Sequence, residues 1–219
     1  MRSNSPTRRN AAFMIYLVAF FAVWTGWVIF LYPRTLRLGD RTHSYAVVNV
    51  TVRLLVWVIP VLRYLRFIDH ENPIAYLKLT RNWKRGMRVG IFVTVINLVG
   101  SWVRFGTPHP SANSVTWNSM LSAAWLIGFI EEVPFRGFIL QKLEERIGQA
   151  LAIMTSSMLF LAIHLPGWIS LNALRPEKAV TIFIIGVVLA VIFKYSGSLW
   201  SAIIAHTSNN FIAGVLFGR

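Results

Sequence analysis

The sequence predicts an all-α fold, a polytopic transmembrane helix bundle of about seven spans. Two observations carry that expectation. Hydrophobic residues make up 55% of the chain and charged ones only 14%, far from the mix of a soluble domain. The apolar residues also fall into successive runs near the 20 or so residues that a spanning helix needs, separated by short basic or Pro/Gly-containing links. A membrane barrel would instead alternate polar and apolar residues along each strand.

The spans are expected at 11–32, 45–62, 89–105, 119–140, 149–165, 179–195 and 198–218. The first follows a basic stretch, Met1 to Asn10, and is too long for a signal-peptide core, so it reads as a retained helix. The second is interrupted by Arg53, which is expected to snorkel to the outer headgroups, the alternative being a pair with an intramembrane carboxylate, and which is left outside the site. The third, at about 17 residues, is near the lower limit for a membrane helix. Residues 1–118 read as N-terminal helices with a basic inner-surface link, and 119–219 as the segment that carries chemistry, within one integrated membrane domain. With the N-terminus inside, thirteen Lys/Arg fall in inner segments and seven in outer ones, which favours that orientation.

The formal charge of +14 does not imply nucleic acid, because the cations lie in links and form no aromatic-interleaved tract. Seven of them lie between Arg63 and Arg88, beside an amphipathic stretch with Ile74, Leu77, Leu79, Trp83 and Met87. That link is expected on the inner leaflet, with anionic lipids as its partner. Asp69, His70, Glu71, His43 and His109 fall in links and read as solvated. Cysteine is absent, which removes disulfides, thiol catalysis and thiolate metal sites.

Ionisable groups inside spans are expensive and mark function by default. The fourth span holds Glu131, Glu132 and Arg136, the fifth ends near His164, and the seventh holds His206 and Asn210. Glu132 and Arg136 are four apart, so they share a helix face and can pair. Glu131 points about 100° away and has no partner at i+4. A desolvated carboxylate without a partner suits a general base. Pro134 removes an N–H from the turn beside the glutamates and should leave the helix bent or hydrated there. His206 and Asn210, again four apart, can both present donors to one oxygen. Phe160 and His164 repeat the spacing, so that the phenyl ring can set the direction of the imidazole. Asn209 faces elsewhere and reads as a structural hydrogen-bonder.

Taken together, the motifs EEVPFR from Glu131 to Arg136, FLAIH from Phe160 to His164 and HTSNN from His206 to Asn210 resemble the CAAX protease and bacteriocin-processing family. That family includes the type II CAAX prenyl endopeptidases and the Abi proteins. The resemblance covers the last hundred or so residues, from Ser119 onward. It implies an intramembrane glutamic endopeptidase without a bound metal, in which Glu131 and His164 activate a water and His206 and Asn210 stabilise the oxyanion. Glu132, Arg136 and Phe160 would be supporting residues. The implied partner is a peptide or lipidated protein in the membrane, because family members clip prenylated CAAX proteins or act on bacterial peptides and proteins. An integral protein of a prokaryotic plasma membrane fits that company.

Other protease chemistries lack their residues. No His-Glu-x-x-His helix or Gly-x-Ser-x-Gly elbow occurs, and Asp40 and Asp69, the only aspartates, lie outside the spans. Zinc held by Glu131, His164 and His206 is the cofactor-dependent alternative, since two imidazoles and a carboxylate suit catalytic zinc. From other classes, the same residues would serve a proton-coupled membrane protein or a non-catalytic immunity or scaffold protein. A transporter would be expected to show an inverted repeat, and none is visible.

Overall fold

The computed structural model describes residues 6–39, 42–110 and 115–218. Arg2, Asp40, Arg41 and Arg219, which entered the charge and carboxylate readings, lie outside the described residues. All regular elements among the described residues are helical. We number them α1 (Arg8–Leu38), α2 (His43–Phe67), the short α3 (Pro73–Tyr76), α4 (Trp83–Phe105), α5 (118–147), α6 (Gln149–Ser170), α7 (Pro176–Ser196) and α8 (199–216). Helices α1, α2, α4, α6 and α7 are long and apolar enough to cross a membrane. The two other expected spans correspond to α5 and α8, which carry the EEVPFR and HTSNN motifs and are turned toward protein.

Helix α5 is the axis of the bundle. Every residue from 130 to 143 is buried, as befits a helix enclosed by its neighbours on all sides. Helix α1 covers one flank with Phe13, Tyr16, Phe20 and Trp24, whose spacing follows the helical repeat; all four are buried, while Met14, Ile15, Val18 and Val23 remain exposed for lipid. Phe13 and Tyr16 meet Phe138 edge-on, and Phe20 meets Phe135. Trp57 of α2 completes this aromatic layer, its ring centroid 4.8 Å from that of Trp24. Edge-to-face pairs add about 0.5–1.5 kcal/mol each beyond burial, so the layer ties α1 and α2 firmly to the axis.

Prolines widen three helices instead of breaking them. Wide turns with i→i+5 bonding occupy Trp27–Leu31 just before Pro33, Leu54–Val58 just before Pro60, and Val133–Leu140 around Pro134. A proline ring crowds the carbonyl four residues back and offers it no N–H; widening the turn relieves the crowding and hands bonds to the next residue. The defect expected at Pro134 is therefore a widened helix.

Small residues bring α8 against its neighbours. A Cβ built on Gly128 of α5 would lie 2.7 Å from the Ile203 carbonyl oxygen and closer still to Thr207 Oγ1. On the other side, Cβ atoms on Gly86 and Gly90 of α4 would come within 2.7–2.8 Å of Ser198 Oγ, just ahead of α8, and of Ile204 Cβ on it. These are the close backbone approaches that small residues four apart permit in membrane helices.

The basic link differs from its expected solvated form. Asp69 is buried in a salt bridge to Lys142 at 2.8 Å, with Arg9 3.6 Å away. Its carboxylate faces the C-terminal end of α5, where Lys142 is itself enclosed and needs an anion. His43, His70, Glu71 and His109 are exposed, as expected of link residues. Leu77 is fully buried, whereas Ile74, Trp83 and Met87 are exposed. Outside the spans, burial and then Glu145 push the Tyr76 phenol up, while burial and then Lys194 pull the Lys78 ammonium down.

Gly128→Ala should force α5 and α8 apart. Overpacking of this kind costs about 1–3 kcal/mol, so the melting temperature in detergent is expected to fall by several degrees.

Candidate active site

The polar motifs converge around α5. Helix α5 supplies Glu131, Glu132 and Arg136, all buried, and the wide turn at Val133–Leu140 begins directly after the two carboxylates. Arg136 reaches back one turn, and its Nη1 lies 2.8 Å from Glu132 Oε1. Its Nη2 donates to the Gly186 carbonyl of α7 at 3.0 Å, and the guanidinium sits 4.2 Å from the centroid of the Phe160 ring of α6. One side chain thus fastens α5 to two neighbours.

The same oxygen of Glu132 receives a second donor. His206 Nδ1 of α8 lies 2.7 Å from Oε1, and because a carboxylate only accepts, Nδ1 carries the hydrogen. This bond across helices sits one turn beyond Gly128, whose missing side chain lets α8 come close enough to make it. His206 Nε2 then points to Glu131, 3.8 Å from Oε2.

Glu131, which has no partner at i+4 on its own helix, takes one from α2, the less favoured of the two expectations for Arg53. Arg53 Nη1 of α2 lies 3.3 Å from Glu131 Oε1, while Arg53 Nε donates to Asn49 Oδ1 at 3.3 Å and the guanidinium lies 5.5 Å from the Trp24 ring centroid. Arg53 therefore turns into the bundle and does not snorkel to the headgroups, because a carboxylate, an amide and an indole face await it there. Two buried carboxylates are balanced by two guanidiniums, which offsets the cost of bringing either sign into the membrane.

His164 stands where α6 breaks its regular course before Pro166. Its Nδ1 lies 2.7 Å from the carbonyl oxygen of Phe160, so the neutral ring carries its hydrogen on Nδ1 and keeps a lone pair on Nε2. The Phe160 ring packs edge-on against His164 and His206, with centroids 5.1 and 5.8 Å away. Phe160 thus orients His164 chiefly through its backbone. Asn209 accepts from Asn97 of α4 at 3.1 Å and donates to Asn210 Oδ1 at 3.4 Å, linking the asparagine pair to the next helix.

These groups border two adjoining cavities. The larger, about 280 Å³, is lined by Glu131, Phe160, His164, His206, Asn210 and Arg53, among others. The smaller, about 180 Å³, shares Glu131, Arg53 and His164 with the first and continues between Trp24, Trp57 and Trp168. One arm is polar and the other aromatic, and the Glu131 carboxylate stands at their junction. Glu132 and Arg136 touch neither arm. No three His, Asp or Glu side chains among the described residues are grouped as ligands for a metal ion.

Such an arrangement holds a buried base, an oriented imidazole and further donors around a space large enough for water and a peptide group. That is the equipment of hydrolysis. Residues 113–212 match the family model of the Rce1-like type II CAAX prenyl endopeptidases. Comparison with curated proteins and with solved structures gives no match. The matched segment contains Glu131, Glu132, Arg136, Phe160, His164, His206 and Asn210. Arg53, Asn49, Trp24 and Trp57 lie outside it, yet they wall the same cavities. An arginine inside a span was the available signal for Arg53; its partner, 78 residues away in the chain, was not visible from local spacing.

Removing Arg136 should leave Glu132 as an uncompensated buried charge, which costs about 3–5 kcal/mol. Arg136→Met is expected to collapse thermal stability in detergent, and Glu132→Gln combined with Arg136→Met to recover part of the loss.

Proposed function

We propose that the protein is an intramembrane glutamic endopeptidase acting on a membrane-associated peptide or lipidated protein, with Glu131 and His164 as the groups that activate water. The single observation that supports this most is that Glu131, His164, His206 and Asn210, drawn from three helices, border one cavity while Glu132 and Arg136 stay behind them. In this reading a water between Glu131 and His164 gives up a proton to the carboxylate as its oxygen attacks the scissile carbonyl. His164 Nε2, with its lone pair fixed by the Phe160 carbonyl, accepts a hydrogen bond from the same water and orients it.

The attack produces a tetrahedral oxyanion. His206, donating Nδ1–H to Glu132, offers Nε2–H to that oxygen when the ring carries both protons, and the Asn210 amide donates from the next turn of α8. Donors already aimed at the developing charge require no rearrangement during reaction. Glu131 then returns its proton to the departing amine, which completes hydrolysis with atoms and charge balanced. Arg53 positions Glu131 through Oε1 and leaves Oε2 toward the cavity. The aromatic arm receives an apolar group of the substrate next to the scissile bond: a void of about 150 Å³ accommodates a ring such as benzene, so this arm suits one side chain.

The test is cleavage of a farnesylated CAAX peptide and of a proteome-derived peptide set in nanodiscs. Glu131→Gln and His164→Ala should each lower the rate by about a hundredfold or more, with unchanged retention on size exclusion. Equal cleavage by wild type and both variants would sink the proposal in favour of a scaffold or proton-coupled role.

Arg53→Gln should lower kcat more than it raises KM, because it disturbs the base and leaves the walls of the cavity in place; the two constants are read from initial rates. Activity is also expected to persist in strong chelator, with metal content measured on the same sample. Loss of cleavage restored by zinc would transfer water activation to a metal held by Glu131, His164 and His206.

A further inference from the structure

A separate groove lies between α4 and α7. It has a volume of about 680 Å³ and is lined by Arg85, Arg88, Phe92, Val93, Ile192 and Tyr195, among others. The residues are ordered along the helix axis. Arg85 and Arg88 stand on the first turns of α4, and Phe92 and Val93 follow, about 10 Å beyond Arg85 and about 6 Å beyond Arg88 at roughly 1.5 Å per residue. On α7, Tyr195 is level with the arginines and Ile192 lies one turn deeper.

The charge at this end is one-sided. Among the described residues neither Arg85 nor Arg88 has a carboxylate within salt-bridge distance, and the nearby carboxylate of Glu144 is bound at 2.6 Å by Lys194. Arg85 instead covers the Tyr195 ring, 4.7 Å from its centroid, which holds the guanidinium over the groove. Two guanidiniums three residues apart repel each other unless an anion lies between them. This end of the bundle also gathers Arg9, Lys142 and Lys194, and such clustering marks the inner face. The exposed Trp83 and Met87 beside the groove fit the interfacial level of the bilayer.

We infer that this groove binds one anionic phospholipid of the inner leaflet, its phosphate held by Arg85 and Arg88 and an acyl chain laid along Phe92, Val93 and Ile192. Cations at headgroup depth with apolar residues directly beneath them match a phospholipid from end to end, whereas a soluble phosphate would use only the upper part. Helix α4 also packs on α8 through Gly86 and Gly90, so the lipid fills the side of α4 that protein does not.

The experiment is native mass spectrometry of the full chain released from nanodiscs containing equal phosphatidylglycerol and phosphatidylcholine. Wild type should retain one phosphatidylglycerol, and R85Q/R88Q should retain it about tenfold less. The control R63Q/R66Q, which removes two other cations of the link, should bind as wild type. Glycerol phosphate added in excess should fail to displace the lipid. Equal retention by wild type and R85Q/R88Q, equal retention of phosphatidylcholine, an equal loss in R63Q/R66Q, or displacement by glycerol phosphate would each overturn the inference. Both double variants exchange exposed residues, and their melting temperatures serve as the check on folding.

Discussion

Everything in the bundle is arranged around one carboxylate oxygen. Glu132 Oε1 accepts from Arg136 on its own helix and from His206 on α8, and Arg136 continues to the α7 backbone and the Phe160 ring. A lone carboxylate at this depth would cost about 2.5–3.5 kcal/mol on insertion scales. With two charge-assisted donors on it, the group becomes a fixed point from which four helices take their mutual positions. The demand for a close α5–α8 crossing, met by Gly128, follows from the length of the His206 bond. So does the direction of His206 Nε2, since Nδ1 is committed.

The second carboxylate is governed differently. Glu131 takes its cation from α2, a helix outside the segment that matches the protease family. The N-terminal helices are therefore more than a lipid-facing coat. Trp24, Trp57 and Arg53 close the cavities on one side, and the wide turn at Leu54–Val58 begins directly after Arg53. Widened turns in α2 and α5 thus lie beside the two ends of the Arg53–Glu131 contact, where departures from regular helix geometry often accompany function.

How much of this was legible depended on the range of each interaction. The helical character follows from run length and apolarity, and the Glu132–Arg136 contact from a spacing of four residues; both are local properties. The role of Phe160 was legible as proximity to His164, although the decisive contact uses its carbonyl, which every residue possesses and no motif can advertise. Arg53 was misread because a single cation within an apolar run has two low-cost solutions, the headgroups or a carboxylate, and the choice depends on how α2 is rotated against α5. Asp69 was misread for the same reason, since its partner Lys142 comes from another helix. The span count was blurred by α5 and α8, whose surroundings are protein on most sides and whose polar residues lower their apolarity.

The hydrogen bond from His164 Nδ1 to the carbonyl of Phe160 joins two residues of one helix, one turn apart. Which ring nitrogen holds the hydrogen is therefore decided inside α6, whatever its neighbours do. A helix that shifts or tilts carries its imidazole with it, still in the same tautomer. Access and proton bookkeeping are thereby uncoupled: the bundle can loosen along the seams of α6 without scrambling the state in which the histidine meets water.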